Sequence, residues 1–350
     1  MHNRQITHAP VTLFLGAGAS KPFGKMLMAE FINSLYADKT FSASPLFKQI
    51  AQENSDLEYL FEQLESWAEK RYVERNVGTP SIYGAPKELV AHARTLLVEL
   101  RKKVFHAYKD IDGTNSSKLL QVFNELLGGI FETLDEKRYP LLIFTTNYDP
   151  AVEAFCARSN DYELEDGFAN EAGNWVWRRE RLDNFERAGN KKHVVLIKLH
   201  GSANWVKRGG RILRLPFPIY EGEDYENVLI YPATRKVALD DPYFTGYDYF
   251  QRTMDACGCC IVIGYSFRDY DALTKLASAS AFNPRLKVLV VDPQPENIRE
   301  KLSEKGIRCT AAQQTFGKDI AYMHEVAKHI NEAVKSAGIE QPTATAGTAP

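Results

Sequence analysis

No stretch of this chain approaches the roughly 20 apolar residues that cross a bilayer. Met1–Pro10 is polar and lacks the apolar core of a secretory signal. A cytoplasmic protein with no membrane partner is expected. Charge of one sign is missing too: 43 Lys and Arg stand against 45 Asp and Glu, a net of −2 over 350 residues. Binding to nucleic acid or an anionic membrane needs a local excess of positive charge, so no direct nucleic-acid partner is expected. Cysteine is scarce and badly placed for disulfides. Of Cys156, Cys257, Cys259, Cys260 and Cys309, three crowd into four residues, whereas a secreted disulfide framework spreads its cysteines. Cys257 and Cys260 form a CxxC, but a structural zinc takes four ligands. No second CxxC exists and no His lies nearby in sequence, so reduced thiols without zinc are expected. A P-loop is also absent. Around Gly24-Lys25, Ala19 stands where the motif needs Gly, and Met26 where it needs Ser or Thr.

What is present is a series of short apolar runs: Val11–Leu15, Leu141–Phe144, Val194–Leu199, Val228–Tyr231, Cys260–Ile263 and Lys287–Val291. Most are continuous rather than alternating, the pattern of strands buried on both faces. Separated by helical segments, they predict an α/β, Rossmann-like, doubly wound parallel sheet. Between Leu15 and Leu141 no such run occurs. Helical patterns fill the gap at 44–70, 86–108 and 116–137, with Leu57, Leu60, Phe61 and Leu64 at helical spacing. The spacing therefore predicts a Rossmann-like domain from 1–37 and 139–337, with a large helical insertion, 38–138, packed on it after the first strand–helix unit. Residues 161–192 are polar, with Trp175–Trp177 as a short strand. The Ala/Thr/Gly/Pro tail, 338–350, is too poor in apolar residues to order itself.

Three strand ends carry polar residues. Val11–Leu15 leads into Gly16-Ala17-Gly18-Ala19-Ser20 and a helical stretch to about Tyr36, a strand–glycine turn–helix unit suited to a nucleotide phosphate. The Rossmann form GxGxxG fails at Lys21. Leu141–Phe144 ends in Thr145-Thr146-Asn147-Tyr148-Asp149, and Val194–Leu199 in His200-Gly201-Ser202. Gly264-Tyr265-Ser266 and Asp292 follow two further strands. Ligands of open parallel sheets bind at this carboxyl edge.

Taken together and in this order, GAGAS, TTNYD, LHG and GYS resemble the sirtuin motifs GAGxS, TQNxD, the catalytic His-Gly and a Gly-Ser cofactor turn. The chain departs from the protein-deacylating sirtuins at three points. Lys21-Pro22-Phe23-Gly24 replaces their Ile-Pro-Asp-Phe-Arg loop, the zinc module with two CxxC pairs is missing, and Ser202–Val206 replaces the Phe-Gly segment that clamps acyl-lysine. What remains is similar to the sirtuin-like branch of bacterial anti-phage proteins. That resemblance implies an NAD glycohydrolase, with NAD as substrate, acting by NAD depletion. It implies Asn147 and His200 as catalytic residues: Asn147 orienting the nicotinamide ribose or water, His200 as general base. It further implies Gly16, Ala17, Gly18, Ser20, Thr146, Asp149, Gly264, Ser266 and Asp292 as NAD-binding. Ser20 and the glycines would hold the pyrophosphate, Asp149 the carboxamide, Gly264 and Ser266 the adenosine half, and Asp292 a ribose hydroxyl. A homo-oligomer and a separate activating chain of ATPase or Argonaute type are implied as partners. Two other activities stay open, an NAD-dependent protein deacylase or ADP-ribosyltransferase, and a non-catalytic NAD or ADP-ribose sensor.

Overall fold

The computed structural model describes residues 9–54, 56–69, 87–111, 116–134, 139–185, 190–222, 224–231, 240–318 and 320–338. Apart from Gly338, the tail expected to be disordered lies outside them. The strands in chain order are β1 (Val11–Leu15), β2 (Leu141–Thr145), β3 (Tyr162–Glu165), β4 (Phe168–Glu171), β5 (Asn174–Trp177), β6 (Lys192–Lys198), β7 (Trp205–Arg208), β8 (Arg211–Arg214), β9 (Glu226–Asn227), β10 (Cys259–Ile263), β11 (Lys287–Asp292) and β12 (Cys309–Gln313). The helices are α1 (Ala17–Ser20), α2 (Met28–Ala37), α3 (Lys39–Ser42), α4 (Pro45–Glu53), α5 (Leu57–Glu69), α6 (Lys87–Tyr108), α7 (Ser116–Thr133), α8 (Ala151–Arg158), α9 (Arg179–Asp183), α10 (Tyr243–Ala256), α11 (Tyr270–Phe282), α12 (Glu296–Glu304) and α13 (Ile320–Ser336).

Seven strands form one sheet in the order β12-β11-β10-β1-β2-β6-β3, and every pairing in it is parallel. Alternate residues serve opposite faces. Leu13, Ile143, Ile261 and Leu289 join a core with α7, α8 and α13, while Phe14, Phe144, Val262 and Val290 join a core with α10, α11 and α12. Two apolar faces explain why the runs are continuous. This is a Rossmann-like α/β fold. From β1 the chain builds outward to β2 on one side and returns to β10 on the other, so the β1/β10 boundary is a topological switch point, where open α/β sheets form a crevice.

A third core belongs to the helices. Phe31, Phe41, Phe47, Leu60, Phe61, Leu64, Leu96 and Leu100 pack together, and Tyr148, Ala203 and Leu229 from the sheet edge join them. The stripe foreseen over 44–70 is two helices. Asn54 Oδ1 accepts from Asp56 N, and Asp56 Oδ1 accepts from Glu58 N, so side chains satisfy the backbone at the break and start α5. Helix α7 packs with the sheet and α13, not with the other helices of the gap.

Two readings of strands change. Val228–Tyr231 is not a strand of the parallel sheet. Its backbone is occupied instead by site residues: Ile230 N donates to His200 O, and Tyr148 Oη donates to Ile230 O. The polar excursion, 161–192, adds β3 to the parallel sheet and supplies β4 and β5 of a second, antiparallel sheet, β4-β5-β8-β7-β9, completed by strands after His200; the short strand expected at Trp175–Trp177 lies in β5. The edge strands β3 and β12 carry too few apolar residues to have been read from the sequence.

Cys257, Cys259 and Cys260 lie in or beside β10, with Cys257 and Cys260 on one face and Cys259 on the other. Among the described residues no three His, Cys, Asp or Glu side chains are arranged to hold a metal ion. Burial pushes the thiols of Cys156 and Cys259 up to about 12, which removes the thiolate that reacts. Only Cys309 is partly exposed. Ellman's reagent should therefore titrate one of the five thiols in the native protein and all five in denaturant. Rapid reaction of three or more native thiols would contradict this burial. Among the described residues no helix is long and apolar enough to cross a membrane.

Candidate active site

A cleft partly open to solvent, spanning about 750 Å³ with its solvent-filled mouth included, lies at the carboxyl edge of β1, β2, β6 and β10. Ala17, Ser20, Thr146, Asn147, Asp149, His200, Gly264 and Ser266 line it, together with Lys25, Met28, Glu58 and Tyr108 from the helical side.

The TTNYD segment is held in place from behind. Thr145 Oγ1 donates to Leu15 O at 2.8 Å and accepts from Asn147 N at 3.0 Å. Asn147 Nδ2 donates to Gly16 O at 2.8 Å and to Ser20 Oγ at 2.9 Å. Gly16 O can only accept, so the amide orientation is set and both N–H groups are spent inside the protein. The end of Asn147 left for a ligand is its oxygen, an acceptor. Ser20 passes the chain on by donating to Asp149, whose carboxyl also accepts from Ala151 N. Burial pushes Asp149 above the usual carboxylate range, against the opposing pull of nearby Lys198.

Lys198, two residues before His200, is almost fully buried. Its ammonium donates to Asp149 O at 2.6 Å, Glu153 Oε1 at 3.0 Å and Tyr148 O at 3.3 Å. It ties the floor of the TTNYD loop to β6. Lys198→Met leaves Glu153 and two carbonyls without their cation, and should destabilise the fold by about 3–5 kcal/mol, as when one member of a buried ion pair is removed. Chemical denaturation measures this; a loss under 1 kcal/mol would remove Lys198 from that role.

His200 is buried, 6% exposed. Its Nε2 lies 2.7 Å from Asp269 Oδ2 and 3.1 Å from Tyr247 Oη. Tyr247 donates to the same Asp269 oxygen at 2.9 Å. Burial, then the Asp269 charge, pushes the Tyr247 hydroxyl far up, so it stays a donor. Asp269 Oδ1 caps α11 by accepting from Asp271 N and Ala272 N.

The glycines have a packing role. Gly16 N donates to Ile263 O, Gly18 N to Gly264 O and Ala19 N to Gly16 O. These N–H groups are used within the protein, and Gly16 and Gly18 do not line the cleft. A Cβ on Gly18 would stand 2.7 Å from Gly264 Cα. Glycine is required here because the turns after β1 and β10 pack backbone to backbone. Asp292 is also off the cleft wall; its Oδ1 accepts from Gln294 N in its own loop.

Residues 141–310 match the SIR2-like domain family. The matched segment holds Asn147, Asp149, His200, Gly264 and Asp269. The glycine turn precedes it and is joined to it by the pairing of β1 with β2 and β10. No curated protein matches the chain. Solved structures similar to it include a Sir2 homologue bound to NAD, at 14% identity and TM-score 0.38, covering 95% of this chain and 93% of that one. A mutant Sir2 homologue bound to ADP-ribose aligns at 13% identity and TM-score 0.43, covering 95% and 96%. The fold assignment rests on the strand order and directions above.

Asp269, Tyr247, Lys198, Lys25, Glu58 and Tyr108 were missed by sequence reasoning. Two of them carried a signal: a lysine inside an apolar strand run, and an Asp directly before a helix. Lys25, Glu58 and Tyr108 reach the cleft, and Tyr247 reaches His200, only through tertiary packing.

Proposed function

We propose that this SIR2-like chain hydrolyses NAD to ADP-ribose and nicotinamide, as an NAD-depleting effector of bacterial anti-phage defence. The observation that carries the reading is the convergence of Asn147, Asp149 and the paired His200 on one cleft at the switch point. The cleft suits NAD on two counts. Its wall includes the cations Lys25 and Arg268, paired at its rim with Asp110 and Asp56, on which a pyrophosphate can be held, and Tyr108, Tyr148 and Tyr265 offer flat apolar surface.

In the reaction the bond from ribose C1′ to the nicotinamide nitrogen breaks. Its electron pair neutralises the pyridinium, and nicotinamide leaves uncharged. Asn147 Oδ1 accepts from the ribose hydroxyl or the incoming water and orients it. His200 takes the proton as water oxygen bonds to C1′. Asp149, its pKa raised by burial, faces the carboxamide. Ala17 and Ser20 lie along the phosphates, with Gly264 and Ser266 on the adenosine side; Thr146 completes the wall.

A SIR2-like domain is equally consistent with protein deacylation. What favours water as acceptor is the segment after His200: Gly201, Ser202, Ala203 and Trp205 are buried, with Ser202 Oγ and Ala203 N both bonded to Tyr148 O. The segment's polar groups are engaged inside the fold rather than held out toward a lysine peptide. The test is free nicotinamide released from NAD with and without an acyl peptide. Release that depends strictly on the peptide would replace hydrolysis by transfer. Tight NAD binding without release under any condition would make the chain a sensor. A hydrolase of this kind must be held off in the cell, so the reading includes a homo-oligomer gated by a separate partner chain.

A further inference from the structure

We infer that Asp269 is a positioning residue that fixes which nitrogen of His200 is the base. An ionised carboxylate only accepts hydrogen bonds. Asp269 Oδ2 takes one from Tyr247 Oη and faces His200 Nε2 at 2.7 Å. The bond is satisfied when Nε2 carries the proton, which leaves the lone pair on Nδ1. A neutral imidazole has one basic nitrogen, and its partner decides which one.

The same carboxylate is anchored at its other oxygen. Oδ1 accepts from Asp271 N at 2.9 Å and Ala272 N at 3.3 Å, capping the 13-residue α11. One side chain thus starts a helix of the sheet layer and sets the state of the proposed base on a neighbouring loop. That double duty makes Asp269→Asn a sharp probe. Asparagine caps a helix about as well as aspartate. Two backbone donors at Oδ1 hold the amide oxygen at the cap, so the NH₂ takes the place of Oδ2. It then donates to His200 Nε2, which must give up its proton. The ring is forced into the Nδ1–H tautomer, and its lone pair turns away from where it served.

The kinetic consequence rests on the hydrolase reading; the tautomer does not. With ¹⁵N-histidine labelling, His200 is assigned by its loss in His200→Ala, and its tautomer is read from long-range ¹H–¹⁵N correlations. The parent should show Nε2–H, and Asp269→Asn should show Nδ1–H. In the same variant NAD affinity should stay within about threefold, while nicotinamide release falls about 100- to 10,000-fold, as when a base is held in the wrong tautomer. Parent protein with His200 as Nδ1–H overturns the inference by itself, whether or not the variant folds. An unchanged tautomer in a folded Asp269→Asn also overturns it. A tautomer that switches in a protein that never releases nicotinamide upholds the inference and defeats the hydrolase reading instead.

Discussion

His200→Ala should lower nicotinamide release by about 100- to 10,000-fold, the usual loss when a general base is removed. The structure explains why the protein should survive the change. Asp269 keeps three donors, Tyr247 Oη and the two backbone N–H groups of the α11 cap. No buried carboxylate is left unpaired, so the stability cost should be about 1–3 kcal/mol. Asn147→Ala should lose activity over a similar range by a different route. Its amide joins the β1 turn to the β2 loop through Gly16 O and Ser20 Oγ. Its removal also frees the Ser20 hydroxyl that donates to Asp149, so NAD affinity should weaken more than in His200→Ala. Nicotinamide release, NAD affinity and melting temperature are measured on each variant. Two folded variants that cleave NAD at close to the parent rate would dissolve the assigned site.

The second large effect is on stability. Gly264 sits at φ +60° on the turn after β10, and a Cβ there would lie 2.5 Å from Gly18 Cα and 2.7 Å from Ala19 N. These are backbone atoms that cannot swing aside. Gly264→Ala adds a left-handed penalty of about 1–2 kcal/mol and an overpacking cost of about 1–3 kcal/mol. It also strains the hydrogen bond from Gly18 N to Gly264 O. A total loss of about 3–5 kcal/mol is expected in urea or thermal unfolding. Gly128→Ala is the control: a Cβ there meets nothing within 4 Å in the middle of α7, and alanine should be neutral or stabilising by about 0.5–1 kcal/mol. If Gly264→Ala unfolds within 1 kcal/mol of the parent, the two turns are not packed as described.

The five apolar runs that became β1, β2, β6, β10 and β11 were legible because a strand buried on both faces takes apolar side chains at most positions, and a polar one such as Lys198 only where partners await it. Their polar ends were legible for the same reason: the chain turns polar where the sheet stops. Val228–Tyr231 has the same composition and is no sheet strand, since composition records burial and not which backbone groups are paired. The glycine turn was seen but its purpose was not. Only contact between the turns after β1 and β10, some 250 residues apart, makes glycine necessary, and it engages the N–H groups of Gly16 and Gly18.

The sequence by itself determined the doubly wound sheet, the helical filling between its first two strands, and the placement of Asn147, Asp149 and His200 at strand ends. These follow from local hydrophobic pattern, which any segment carries within itself. Tertiary structure alone decided that α7 belongs to the sheet while Glu58 and Tyr108 come from helices that wall the cleft. It alone decided that Asn147 turns its oxygen outward, and that Asp269 and Tyr247 stand against His200. The hydrogen bonds among these span 22 to 131 positions of chain and the packing of α7 on α13 spans more; packed elements bring distant side chains together, and no local pattern encodes such a meeting.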